Sequence, residues 1–245
     1  MSTVAVTKEG AVYFDWFHGM YECAFEELEK ISPIDVDFNL FDVRLNNALS
    51  TIIEMRQGFR HLQEESNREA YILMMKLCDI WFCYEALLMA FKSEGLVSNP
   101  KSKVNALSED TLAYIDLYHD ISDVRHEFTG MSGGLVHQGD HRGDMQKYID
   151  HLQTSATSKG QKKYLAQVYN LFTNDNVFSI SQVLSFVYAV RNQYVHSGES
   201  PLSGVKYVET KISALKFSYD FLVLFCLRAG EFLIEHKVKK IKESL

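Results

Sequence analysis

Proline is scarce in this chain of 245 residues: only Pro33, Pro100 and Pro201 interrupt it. Because proline breaks the hydrogen-bond ladder of a helix, its rarity permits long uninterrupted helices. Apolar residues recur at three- and four-residue spacing through most of the chain, and no segment alternates as a strand between hairpin turns would. The sequence therefore predicts an all-α fold, a helical bundle with extra N-terminal helices.

The apolar period predicts eight helices, and residues that favour helix ends agree with it. Gly95 follows the third helix, Ser108 precedes the fourth, and Ser179 or Ser181 can cap the seventh. Segments 96–108 and 129–143 are expected to be loops, and either one is a candidate boundary between two halves. Neither is a low-complexity linker, which favours one domain over 1–245 with its halves packed together. The predicted helices lie near 11–31, 38–64, 66–94, 109–128, 143–156, 159–173, 180–196 and 208–242.

Paired cysteines and long uncharged apolar runs are also lacking. The four cysteines lie in apolar segments without CxxC spacing, which predicts buried thiols in a reducing compartment. The N-terminus has no secretory signal pattern. The most apolar stretches, 71–91 and 217–234, each carry three charged residues, too many for a lipid-spanning helix. We therefore expect a cytoplasmic protein that does not associate with membranes.

The net charge of −7 argues against wrapping a large duplex, although a local basic pocket stays compatible with it. The basic run at the C-terminus is expected to be a solvated helix end. Its members are Lys237, Lys239, Lys240 and Lys242. Ser132-Gly133-Gly134 lacks the features of a phosphate loop, and no serine elbow is present. The sequence predicts no cofactor and no metal.

Two polar segments could be mistaken for metal sites. Asp116, His119, Asp123 and His126 share one helical stripe, but the opposite stripe is apolar, so this one is expected to face solvent. The histidine- and glycine-rich segment 137–144 is expected to be a mobile polar loop. Neither segment is predicted to bind metal.

The most informative segment is Arg191-Asn192-Gln193-Tyr194-Val195-His196, near the end of the seventh helix. Arg191 lies beside an apolar stripe, so its charge needs a carboxylate or a phosphate as partner. His196 precedes Ser197-Gly198, which can end the helix and turn the imidazole towards the arginine. An arginine and a histidine that converge there would form a phosphate site with acid–base capacity. The same spacing recurs from Arg56 to His61, but without this context.

Residues 191–196 resemble the R-N-x-x-x-H signature of the HEPN superfamily, specifically over about 190–198. The resemblance implies a bundle of about four helices, dimers whose two motifs face each other, and metal-independent ribonuclease activity in toxin–antitoxin, antiphage or RNA-processing systems. It implies that His196 is the acid–base group acting on a ribose 2′-hydroxyl, that Arg191 stabilises the phosphorane, and that Asn192 orients the phosphate or His196. Family members often add a polar residue from another helix, for which Glu85 is the candidate and Asp79 the weaker second.

Three functions therefore remain open. The first is a homodimeric HEPN-type endoribonuclease that acts on RNA in a defence or stress-response system, with an antitoxin or other defence protein as a further partner. The second is a catalytically silent HEPN-like module that binds RNA or a nucleotide. The third is a helical scaffold in which Arg191 pairs with Glu85 and His196 caps a helix; Glu85 could equally pair with Arg228 or a tyrosine hydroxyl.

Overall fold

The computed structural model describes residues 8–32, 36–55, 62–116 and 138–244, with side chains from His18 onward in the first helix. Every regular element in these ranges is a helix, apart from a β-bridge between Val97 and Leu107. The predicted all-α fold is confirmed. The described helices are α1 (Lys8–Ile31), α2 (Val36–Ser50), α3 (Glu65–Ser93), α4 (Glu109–Asp116), α5 (Gly139–Ser155), α6 (Lys159–Thr173), α7 (Ile180–Ser197) and α8 (Val208–Ser244).

Local hydrogen bonds explain why several helices begin and end where the sequence predicts. Gly95, with a φ of +74°, follows α3, and the N–H of Leu96 donates to Phe91 O at 3.0 Å. Ser108 Oγ accepts from the N–H of Thr111 at the start of α4. Ser179 and Gln182 form a reciprocal capping box on α7. The predicted roles of Gly95, Ser108 and Ser179 are confirmed.

The second helix is shorter than predicted. The prediction continues to residue 64, whereas α2 ends at Ser50 and residues 51–55 are not helical. The hydroxyls of Ser50 and Thr51 donate to the carbonyls of Asn46 and Asn47, at 2.7 and 2.6 Å respectively. Hydroxyl side chains compete in this way with the backbone for the last carbonyls of a helix. The apolar period of Ile52 and Ile53 suggests helix where the chain has already left it.

The loop predicted over 129–143 is wrong from Gly139 onward, where α5 begins. The polar residues of this segment are anchored: buried Asp144 accepts from the N–H groups of Lys206 and Tyr207, at 2.7 and 2.9 Å. The segment is therefore helical from Gly139 because its acidic side chains have backbone partners. Residues 129–137 lie outside the described residues, as does the predicted Asp/His stripe beyond Asp116.

The described residues divide into two units. The first unit contains 52–55, 62–78 and 138–219; the second contains 8–32, 36–51, 79–116 and 220–244. Both α3 and α8 contribute residues to each unit, so these divisions fall inside helices rather than in the predicted loops. The single domain stays a prediction. Among the described helices, none combines the length and apolar character needed to cross a membrane.

In the first unit, α5, α6 and α7 bury apolar stripes of helical period. The stripe on α7 includes Val183, Val187 and Val190, and Arg191 continues it as a buried residue. The fold of this unit thus brings the last turn of α7 against the neighbouring helices. That turn carries the motif.

Candidate functional site

The motif occupies the last turn of α7, which ends as the sequence predicts. The helix stops at Ser197, and Gly198 follows with a φ of +59°, in the left-handed region that glycine adopts without steric cost. The N–H groups of Gly198 and Glu199 both donate to the carbonyl of Gln193. The predicted helix end after His196 is confirmed.

A pocket of about 110 Å³ opens at this helix end. It lies between the end of α5, the start of α6 and the last turn of α7. Asn192 and His196 line it one turn apart, and His196 is exposed. The other lining residues are Leu152, Ser155, Ala156, Thr157, Gln161, Ala189, Gln193 and Ser197. The lining is therefore mainly hydroxyl and amide groups around one imidazole.

Arg191 lies behind this pocket rather than in its wall. Of the described residues that line the pocket, the motif supplies Asn192 and His196 but not Arg191. Arg191 is 9 % exposed, and its Nη1 donates to Asn192 Oδ1 at 3.1 Å. The expectation that the arginine and the histidine face one concave surface therefore takes a different form: Arg191 acts on the pocket through Asn192.

The hydrogen bond from Arg191 also determines what Asn192 can offer to a ligand. An amide side chain has one acceptor oxygen and two N–H donors. Since Arg191 occupies the oxygen, the amide donors remain for the pocket. Asn192 is thereby suited to bind an anionic or carbonyl oxygen beside His196.

Glu85, the predicted supporting residue, belongs to the second unit. Its Oε1 accepts from Trp81 Nε1 at 2.8 Å and from Lys103 Nζ at 2.5 Å. Arg228, one partner that the sequence suggests for Glu85, forms a buried ion pair with Glu231 on its own helix. The support of Glu85 for the motif stays a prediction, and Lys103 is a partner that sequence reasoning missed.

A second charged cluster, which sequence reasoning also missed, lies directly after the motif in the first unit. Lys211 Nζ donates to Glu199 Oε1 at 2.8 Å, and both side chains are buried. Lys211 Nζ lies 3.9 Å from the centre of the Tyr148 ring, and His151 Nε2 lies 3.7 Å from Glu199 Oε1. We call Tyr148, His151, Glu199 and Lys211 the Glu199 cluster. The available signal was a lysine within the apolar period of α8.

Burial dominates the protonation behaviour of this cluster. It lowers the pKa of Lys211 to about 8, although the Glu199 carboxylate opposes the change. Burial also raises the pKa of Glu199 against the opposing effect of Lys211, and it raises the pKa of Tyr148 well above its usual value. The charged forms of Lys211 and Glu199 are therefore less stable here than they would be in water.

Charge is distributed unevenly over the described residues. Those of the first unit include eleven Lys or Arg and ten Asp or Glu, whereas those of the second unit include eleven and eighteen. Lys159, Lys162 and Lys163 lie exposed in the first turns of α6, on either side of the pocket residue Gln161. The acidity of the described residues thus belongs mainly to the unit without the motif.

In the part of the chain that the structure describes, no group of three or more His, Cys, Asp or Glu residues could hold a metal ion. Comparison with models of known protein families finds no match, and comparisons with curated proteins and with solved structures find none either. The function therefore has to be inferred from the residues of the pocket and their surroundings.

Proposed function

We propose that this protein is a metal-independent endoribonuclease of HEPN type whose active site is the pocket of Asn192 and His196. The observation that supports the proposal most strongly is the joint position of these two residues in one polar pocket at the end of α7. His196 is the exposed acid–base group, Asn192 is a hydrogen-bond donor, and Arg191 holds Asn192 from behind. All three belong to the motif that resembles the family signature.

The chemistry of RNA cleavage fits these groups. His196 would remove the proton of a ribose 2′-hydroxyl, O2′ would attack the adjacent phosphorus, and the bond from phosphorus to O5′ would break. The products are a 2′,3′-cyclic phosphate and a 5′-hydroxyl, whose proton must come from a second acid. The nucleophile belongs to the substrate, so positioning and proton transfer are the contributions that the protein must make.

Local electrostatics favour a phosphate in this pocket. The pocket includes Thr157 and Gln161 at the start of α6, where the helix dipole attracts anions. Lys159, Lys162 and Lys163 add positive charge on the same turns. The near balance of charge in the first unit answers the objection that the net charge of the chain raises against RNA binding.

We further propose a homodimer in which two copies of the motif share one cleft. The described lining of one pocket includes a single imidazole, whereas the reaction needs both a base and an acid, and a two-fold axis would supply the second His196. Sedimentation at micromolar concentration tests this directly, since a strict monomer would contradict it. A role in defence or stress response, with an antitoxin as partner, is part of the same proposal.

The decisive experiment incubates the purified protein with mixed RNA in EDTA and examines the products for cyclic phosphate ends. We expect cleavage by the native chain and a loss of about 10²–10⁴-fold in rate for His196→Ala. Because His196 is exposed, its removal should leave the thermal stability unchanged.

The matched control is His61→Ala, which removes the histidine of the other Arg-x4-His spacing, outside the described residues. It should retain full activity. Binding of RNA without cleavage would favour the silent binding module, and neither binding nor cleavage would favour the scaffold. Equal loss of activity in both variants would contradict the assignment to His196.

A further inference from the structure

The Glu199 cluster connects three parts of the first unit that are distant in sequence. Glu199 lies two residues after the end of α7, Lys211 lies in the first turns of α8, and Tyr148 and His151 lie on α5. Gly204 closes the connection, because a Cβ at this position would lie 2.6 Å from the His151 ring. The segment from Glu199 to Lys211 is thus held against α5 at both ends.

The same glutamate also completes the last turn of α7. Its backbone N–H donates to Gln193 O at 3.3 Å, next to the N–H of Gly198 on the same carbonyl. Its side chain is 3 % exposed and bonds to Lys211. Backbone and side chain of Glu199 therefore join the turn that carries His196 to α8.

This arrangement is unfavourable for a purely structural contact. Among the described residues, Tyr148 Oη and Glu199 Oε2 are buried without a hydrogen-bond partner. Buried ion pairs can often be replaced by apolar residues of similar size without loss of stability. A pair of this kind beside a functional motif is what one expects where a protein gives up stability for activity.

We propose that Glu199 is a positioning residue for the active site: its ion pair with Lys211 holds the end of α7, and hence His196, in the geometry that cleavage requires. The inference rests on the proposed function. It assigns Glu199 no contact with the substrate. Its effect is on the orientation of the imidazole, where misplacement by about 1 Å can reduce a rate roughly 100-fold.

The test is the double substitution Glu199→Leu with Lys211→Met, which removes both charges together and strands neither. We expect the melting temperature to stay equal or rise, while kcat for RNA cleavage falls about tenfold to 100-fold with KM unchanged. A structural role alone would lower stability and leave kcat of the folded fraction intact.

The matched control is Glu69→Leu with Lys216→Met. This pair also has a 2.8 Å separation and also uses a lysine of α8, but it is partly exposed and does not belong to the Glu199 cluster. The control should change neither kcat nor the melting temperature appreciably, since such pairs contribute little. An equal loss of kcat in the control would overturn the inference.

A second measurement does not depend on RNA cleavage. Loosening the end of α7 should speed hydrogen exchange at the amides of Gly198 and Glu199 by at least about tenfold, with the amides at the middle of α7 unchanged. If the native protein cleaves no RNA, the proposed function fails, and exchange alone decides whether Glu199 holds the turn. Unchanged exchange overturns the inference, as does unchanged kcat in an active protein. Should the double variant not fold, Glu199→Gln takes its place, with the same outcomes.

Discussion

Each unit of the molecule buries an ion pair, and the two pairs differ in what they connect. Arg228 and Glu231 lie one turn apart on α8 in the second unit, so their contact forms wherever that helix forms. Glu199 and Lys211 lie on different elements of the first unit, with Tyr148 and His151 of α5 beside them. Only the second kind of pair reports on tertiary structure. It is also the kind that lies beside the motif.

Charge separates the two units in the same way. The described residues of the second unit carry seven more acidic than basic side chains, whereas those of the first unit carry one more basic than acidic side chain. Net charge bears on the choice of partner only where the charge surrounds the site. In this chain the average over both units hides a first unit that can approach RNA.

The largest effect should come from breaking the Glu199–Lys211 pair from one side. Lys211→Met leaves Glu199 buried without its cation and should lower the free energy of unfolding at neutral pH by about 3–5 kcal/mol. Lys216→Met, which removes the partly exposed partner of Glu69, should cost no more than about 1 kcal/mol. Urea denaturation of both variants measures the difference. Equal costs would show that burial of the pair carries no energetic weight.

The next effect follows from the lowered pKa of Lys211, about 8 in the folded protein. Between about pH 8 and pH 10 the unfolded chain keeps the lysine proton that the folded chain has lost, so the contribution of Lys211 to stability rises with pH, by up to about 3 kcal/mol. The contribution falls again as pH drops through the folded pKa. It is measured as the difference in unfolding free energy between the native chain and Lys211→Met. A difference that stays constant over this range would contradict the prediction.

Local rules predict much of the fold. The capping box of Ser179, the turn at Gly95 and the stop at Gly198 each depend on residues within one turn of the helix end. The second helix is predicted too long because an apolar period does not show which hydroxyl will bond to a carbonyl. The loop over 139–143 is predicted wrongly because Asp144 finds its partners more than sixty residues away.

The same distinction explains what sequence reasoning found and missed in the site. Asn192 and His196 are one turn apart, so their common pocket follows from helix geometry. The hydrogen bond from Arg191 to Asn192 and the pairing of Glu85 with Lys103 depend on rotamers and on a connecting segment. Glu199 and Lys211 meet only because α8 returns beside α5. No spacing in the sequence announces that contact.

Two glycines extend the contrast between the units to their helix ends. Gly95 ends α3 in the second unit and Gly198 ends α7 in the first, both with positive φ and with open space where a Cβ would lie. Gly95→Ala and Gly198→Ala should therefore each cost about 1–2 kcal/mol of stability, because an L side chain is strained there. Only Gly198→Ala should also reduce RNA cleavage. Equal losses of cleavage would remove the distinction between the two helix ends.

The smallest effect concerns the exposed lysines. Those of the C-terminal run face carboxylates: Lys242 lies 2.7 Å from Glu27 and Lys240 lies 3.0 Å from Glu94. Lys162 and Lys163 are exposed beside the pocket in the first unit. We expect Lys162→Gln with Lys163→Gln to weaken RNA binding about threefold to tenfold at low salt, and to reduce the salt dependence of log K by about 1.

The matched double variant is Lys240→Gln with Lys242→Gln, which changes the same number of charges in the second unit. It should leave RNA affinity and its salt dependence nearly unchanged, because those lysines already neutralise Glu94 and Glu27. Filter binding or fluorescence anisotropy at several salt concentrations distinguishes the two variants. If the C-terminal lysines proved as important as those of α6, phosphate contacts would extend over the acidic unit, and the charge difference between the units would not select where RNA binds.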